Sequence, residues 1–102
     1  MDHRRLIKLL KERGSDLKKP HAVEFYVYLP TRILANKLAK KIQKQGFDVH
    51  VFSDPSGARW LCLPIKNIVP NAKALASIQK HFNTLAQPFG GQCDGWGTQV
   101  EK

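Results

Sequence analysis

From Val23 onward the apolar residues change their spacing from two, to between three and four, and back to two. This switching order does more than anything else in the chain to narrow the choice of fold. Val23, Phe25, Val27 and Leu29 alternate with Glu24, Tyr26 and Tyr28, the pattern of a strand with one aromatic face. Pro30 and Thr31 end it, Thr31 can cap a helix, and Leu34, Ala35, Leu38, Ala39 and Ile42 form the apolar stripe of that helix up to Gly46. Phe47, Val49 and Val51 then alternate with Asp48, His50 and Phe52 in a second strand, and Asp54-Pro55-Ser56-Gly57 carries the proline and glycine placement of a type I turn.

The return strand, Ala58 to Leu63, is expected to give Leu61 and Leu63 to the helix-covered face and Trp60 and Cys62 to the other. Its regular pairing should stop near Pro64, which has no N–H to donate. A helix beginning at Pro70-Asn71 places Leu75, Ile78, Phe82, Leu85 and Ala86 on one face and ends at Pro88 and Gly90-Gly91. Gln92 to Val100 leaves room for one last strand. Ahead of all this, residues 2–13 set Leu6, Leu9 and Leu10 in a helical stripe with Ile7 at its border, and Gly14 is a left-handed stop.

The order is therefore helix, then strand-helix-strand-strand-helix-strand. It predicts an α+β, ferredoxin-like βαββαβ sandwich: a four-stranded antiparallel sheet, two helices on one face, and an additional N-terminal helix. At 102 residues and 42% hydrophobic, residues 1–102 suit a single domain, with a helix over 2–13, a loop over 14–20 and the core over 21–102. In the strand order 4-1-3-2, Cys62 and Cys93 lie two strand spacings apart, about 9.5 Å. A disulfide tolerates about 7 Å between Cα atoms, so two free thiols are expected.

Several functional classes are disfavoured. No apolar run approaches the roughly 18 residues of a bilayer span, and the first six residues lack a secretory h-region, so a cytoplasmic location away from membranes is expected. His3, His21, His50 and His81 lack metal-site spacing, no Gly-rich loop precedes a phosphate-binding helix, and Asp48, Asp54 and Asp94 have no visible catalytic partner. No catalytic residue, metal or cofactor is predicted. The net charge of +9 is uneven: residues 1–44 hold 12 basic and 4 acidic residues, whereas residues 45–102 hold 5 and 4. Lys37, Lys40, Lys41 and Lys44 fall opposite the apolar stripe of their helix, as contacts to phosphate or to an acidic partner, or as a solvated face.

The end of the chain adds a motif. Phe82-Asn83-Thr84-Leu85-Ala86 followed by Phe89-Gly90-Gly91-Gln92-Cys93-Asp94-Gly95-Trp96-Gly97-Thr98 resembles the close of the regulator of ribonuclease E activity B family, RraB, with Asp94-Gly95-Trp96-Gly97-Thr98 the most specific element. Weaker likeness runs through Gly14-Ser15-Asp16, the strand containing Phe25, Gly46 with Phe47 and Val49, and Val69-Pro70. The resemblance implies a ferredoxin-like regulatory protein that is not an enzyme and that binds a protein partner, a ribonuclease or other RNA-processing component. Members of that family are as a trait strongly acidic; this chain is basic, so its surface would steer toward other partners or another segment of the same one.

Two readings of the pentad stand side by side. It can lock the last strand onto the sheet, since glycines beside a large ring permit close approach and Trp96 buries much apolar area, or it can form a binding patch. The candidate partner-binding residues are Asp94, Gly95, Trp96, Gly97 and Thr98 together with Tyr26, Tyr28 and Trp60, which are expected on the uncovered face of the sheet with His50 and Phe52. The alternative is a direct RNA-binding domain, with bases stacked on Tyr26, Tyr28 and Trp60 and phosphates on the lysine face. A third outcome covers the aromatic face instead, with the N-terminal helix or with a second copy in a homodimer.

Overall fold

The computed structural model describes residues 3–102. In chain order these form α1 (His3–Glu12), β1 (His21–Leu29), α2 (Arg32–Gln43), β2 (Asp48–Ser53), β3 (Trp60–Ile68), α3 (Ala72–Ala86), a short 3-10 turn (Gln87–Phe89) and β4 (Gln92–Gly97). The expected start of the first helix at Asp2 lies outside the described residues. The Thr31 hydroxyl accepts the Leu34 N–H at the start of α2, and the Asn71 side-chain oxygen accepts the Ala74 N–H at the start of α3, each satisfying a donor the helix leaves unpaired.

All four strands join one antiparallel sheet in the order β2-β3-β1-β4. β1 lies at its centre and fixes its two faces. His21, Val23, Phe25, Val27 and Leu29 are buried, while the residues between them are exposed or half-buried. The buried set packs with Ala35, Leu38, Ala39 and Ile42 of α2 and with Leu75, Phe82 and Ala86 of α3 in one core. At its centre Phe25, Phe47 and Phe82 meet edge to face, with centroids 5.0 to 6.4 Å apart.

β3 departs from expectation in two ways. It continues past Pro64 to Ile68, because the proline ring is itself fully buried in the core and the β1–β3 register merely lacks pairs at Phe25 and Tyr26, the residues that Pro64 and Leu63 would meet. Its faces are also reversed. Val27 pairs with Cys62 and Tyr28 with Leu61, so Cys62 and Pro64 turn toward the helices, and Leu61, Leu63 and Ile65 lie on the side of Tyr26 and Tyr28.

β4 ends at Gly97, short of the expected Val100. Beyond it Thr98 donates its hydroxyl to the Ala22 carbonyl, and the following residues strap the α1–β1 loop: Glu101 N–H donates to Ser15 Oγ, Asp16 N–H to the Glu101 carbonyl, and Lys19 Nζ to the Lys102 carbonyl. Beneath this strap His21 is fully buried. Its Nδ1 donates to the Lys19 carbonyl, which can only accept, and its Nε2 meets Ser15 Oγ at 3.1 Å.

Val27 is the register partner of both Cys62 and Cys93, so the two sulfurs sit in one row with β1 between them. Both are free and buried, and burial pushes the Cys62 thiol up to about 12 and the Cys93 thiol up to about 11. A protonated, enclosed thiol is a poor nucleophile. Both cysteines should resist a thiol-specific reagent at pH 8 in the native protein and react fully in denaturant, as read by mass spectrometry. Because the folded thiols titrate above their unfolded value of 9.0, their contribution to stability is intact below pH 9 and is lost as the pH rises toward 11 to 12.

Candidate functional site

The pentad Asp94 to Thr98 owes its shape to one extra residue. Tyr26 pairs with Gly95 and Val27 with Cys93, so two adjacent residues of β1 face residues two apart on β4, and Asp94 is the insertion of a β-bulge. In a regular strand Cys93 and Trp96, three apart, would point to opposite faces. The bulge turns both toward the helices. Gly95 takes the left-handed side of backbone space at φ 150°.

Trp96 is consequently a core residue, 4% exposed and opposite Phe25. Its indole N–H donates to His3 Nδ1 at 2.7 Å, and the two rings lie within 4° of parallel. This bond ties β4 to α1, which also packs on α3. The N-terminal helix therefore lies beside α3 and Trp96, not across the face carrying Tyr26 and Tyr28 as one expectation had it. Cys93 N–H donates to the Asn83 side chain of α3, a second tie from the helical layer to β4. Neither His3 nor Asn83 stood out in the sequence as a partner, since each bond spans elements whose docking no local pattern reveals.

On the opposite face the pentad forms one border of an aromatic surface. Gly97 sits against Tyr26: a Cβ there would come 2.5 Å from the tyrosine hydroxyl. Burial first, then the Glu24 carboxylate and Tyr28, push the Tyr26 hydroxyl above its ordinary value. Arg59 lies over Tyr28, its guanidinium carbon 3.9 Å from the ring centroid, and faces Asp54 at 3.4 Å and Asp94 at 3.8 Å. Gln92 donates to Asp94. Leu61, Leu63 and Ile65 continue this surface toward His50 and Phe52, the latter 49% exposed.

The register brings Tyr26 and Tyr28 together with Gly97 and Asp94 but excludes Trp60. Paired with Leu29, Trp60 lies on the helix side with the Arg32 guanidinium 5.7 Å from its ring, a correction that follows directly from the reversed phase of β3. The four lysines are also on the helix side of the sheet, because α2 buries Ala35, Leu38, Ala39 and Ile42 against it and exposes Lys37, Lys40, Lys41 and Lys44 on its outer surface. Lys41 leans over the Phe89 ring at 5.2 Å. Aromatic and basic surfaces thus occupy opposite layers of the molecule.

Among the described residues no group of three or more His, Cys, Asp or Glu could hold a metal ion, and no helix is long and apolar enough to cross a membrane. What the geometry offers is a small α+β domain with a half-open, aromatic sheet face and a cationic helical layer, an arrangement suited to contacting another macromolecule. The chain belongs to the RraB family, described as regulator of ribonuclease activity B, whose model matches residues 1–98. No curated protein matches it.

The His3–Trp96 bond can be isolated. Trp96→Phe keeps the apolar ring and loses the donor, which should cost about 1 kcal/mol, whereas Trp96→Ala should cost about 3–5 kcal/mol through the cavity it leaves. His3→Ala and Trp96→Phe should be non-additive in denaturant midpoints, with about 1 kcal/mol of coupling; simple additivity would show that the bond contributes nothing.

Proposed function

We propose that this chain is a non-catalytic regulatory module that binds a protein, a ribonuclease or another component of RNA processing, and alters its activity. The observation that carries the reading is membership of a family of regulators of ribonuclease activity over nearly the whole chain. We further infer that residues 1–102 form a single RraB-like domain of ferredoxin-like architecture, supported by a strand order that reads 4-1-3-2 from the β4 edge. A cytoplasmic location follows from the proposed partner.

The proposed interface is the open sheet face: Tyr26 and Tyr28 bordered by Asp94 and Gly97, with Arg59 fixed over Tyr28. Trp96, Gly95 and Thr98 serve it from beneath or from the side, by setting the bulge and holding β4 against β1. An aromatic surface of this kind, with charges at its rim, suits a protein partner. The RNA reading loses support from the same geometry. Arg59 already covers the Tyr28 ring and is paired with Asp54 and Asp94, bases stacked on Tyr26 would leave their phosphates near Glu24, and the lysines of α2 face away.

The protein alone should leave RNA intact, and adding it near stoichiometrically to the partner endoribonuclease should change the rate of RNA cleavage. Tyr26→Ala with Tyr28→Ala should weaken that effect at least about tenfold while preserving a cooperative thermal transition, which corresponds to about 1.4 kcal/mol of binding. Labelled single-stranded RNA titrated at two salt concentrations should show no steep salt-dependent binding; micromolar affinity with a large salt slope would favour the RNA reading instead.

A further inference from the structure

The two edges of the sheet are treated differently. β4 carries a bulge, lies beside α1, and continues into the strap over the α1–β1 loop. β2 has none of these protections: it pairs with β3 on one side in an unbroken register from Asp48 to Ser53, and it contains no lysine, proline or bulge. Its outer edge presents a row of backbone donors and acceptors to which another strand can pair.

Beside that edge runs a groove of about 450 Å3 between β2 and α2, lined by Val49, His50 and Val51 below and by Asn36, Ala39, Lys40 and Gln43 above. α2 contains no acidic residue. Lys40 stands at the rim, with Lys37 three residues before it and Lys44 four after, so the three form a continuous cationic rail along the helix. Among the described residues, none of these three lysines has a carboxylate within ion-pairing distance.

We propose that the β2 edge and the α2–β2 groove form a second docking site, which takes an extended acidic peptide segment as a fifth strand. The peptide's backbone pairs with β2. Alternate side chains turn up toward the rail, where glutamate or aspartate meets Lys37, Lys40 and Lys44, and the intervening ones turn down beside Phe52, where apolar side chains are favoured. Charge selects this occupant over a second copy of the chain, since pairing β2 with β2 would bring two lysine rails together. The site lies at the β2 edge, across β3 from the Tyr26–Tyr28 surface and meeting the open face only along β2, at His50 and Phe52, and it does not require the partner to be a ribonuclease.

The probe is a capped peptide of about eight residues alternating glutamate and valine, long enough to cover the strand. Titrated against the whole protein at low salt, it should bind in the micromolar range, weaken as salt rises, and slow amide exchange selectively along β2. The same peptide methylated on alternate backbone nitrogens should bind at least about tenfold more weakly, and one with lysine in place of glutamate should not bind. Lys37→Glu, Lys40→Glu and Lys44→Glu together, all exposed and remote from the core, should reverse that charge preference while leaving the thermal transition in place. The site is overturned if the acidic peptide does not bind, if the methylated peptide binds equally well, if exchange slows elsewhere than β2, or if the protein alone sediments as a dimer that buries this edge. Displacement of the bound peptide by single-stranded RNA with higher affinity would assign the rail to nucleic acid and overturn it as well.

Discussion

The parity of β4 governs this structure. A strand alternates its side chains, so Cys93 and Trp96 can both face the helices only if one residue between them drops out of the count, and Asp94 does so. Remove that insertion and either the thiol or the indole must leave the core. With it, Trp96 closes the end of the core beside Phe25 and supplies the hydrogen bond that holds α1. The same kink aims the Asp94 carboxylate at Arg59 and leaves Gly97 beneath Tyr26, so the interior packing and the exposed aromatic surface have a common origin.

A sheet covered on one side separates two kinds of chemistry. The covered side gathers most of the cations, because α1 and α2 bury Leu10, Ala35, Leu38, Ala39 and Ile42 and turn their lysines and arginines outward, while Arg59 stays over Tyr28 on the open side. The open side keeps aromatic and aliphatic groups with Glu24, Asp48 and Asp94 among them. Net charge alone suggests a uniformly basic particle, but the cations concentrate on the helical layer, and an approaching partner meets the strongest positive field from that side.

Much of the fold was legible from periodicity because β1, α2 and α3 each place apolar residues on one face and polar ones on the other. β3 offered no such contrast. Trp60, Leu61, Cys62 and Leu63 are all apolar, so either phase satisfies the pattern, and the choice falls to the pairing of Cys62 between Val27 and Val51. Placing Trp60 beside Tyr26 and Tyr28 was the cost of that ambiguity. The pentad was recognisable as a motif, yet its bulge was not, since Gly95 and Gly97 permit several backbone paths and only the register with β1 selects one. His3, separated from Trp96 by 93 positions, carries no local sign of its bond.

That separation bears on how the molecule is made. On the ribosome α1 emerges well before β4, with Leu6 and Leu10 in need of cover, and the indole that secures the helix reaches it only after the intervening elements have been made. Until α3 and then β4 follow, the nascent helix has only its own weak propensity to hold it. The tryptophan thus acts as a latch that engages only once β4 is made, and a chain stalled before Trp96 would leave α1 held by α3 alone, within reach of quality-control machinery.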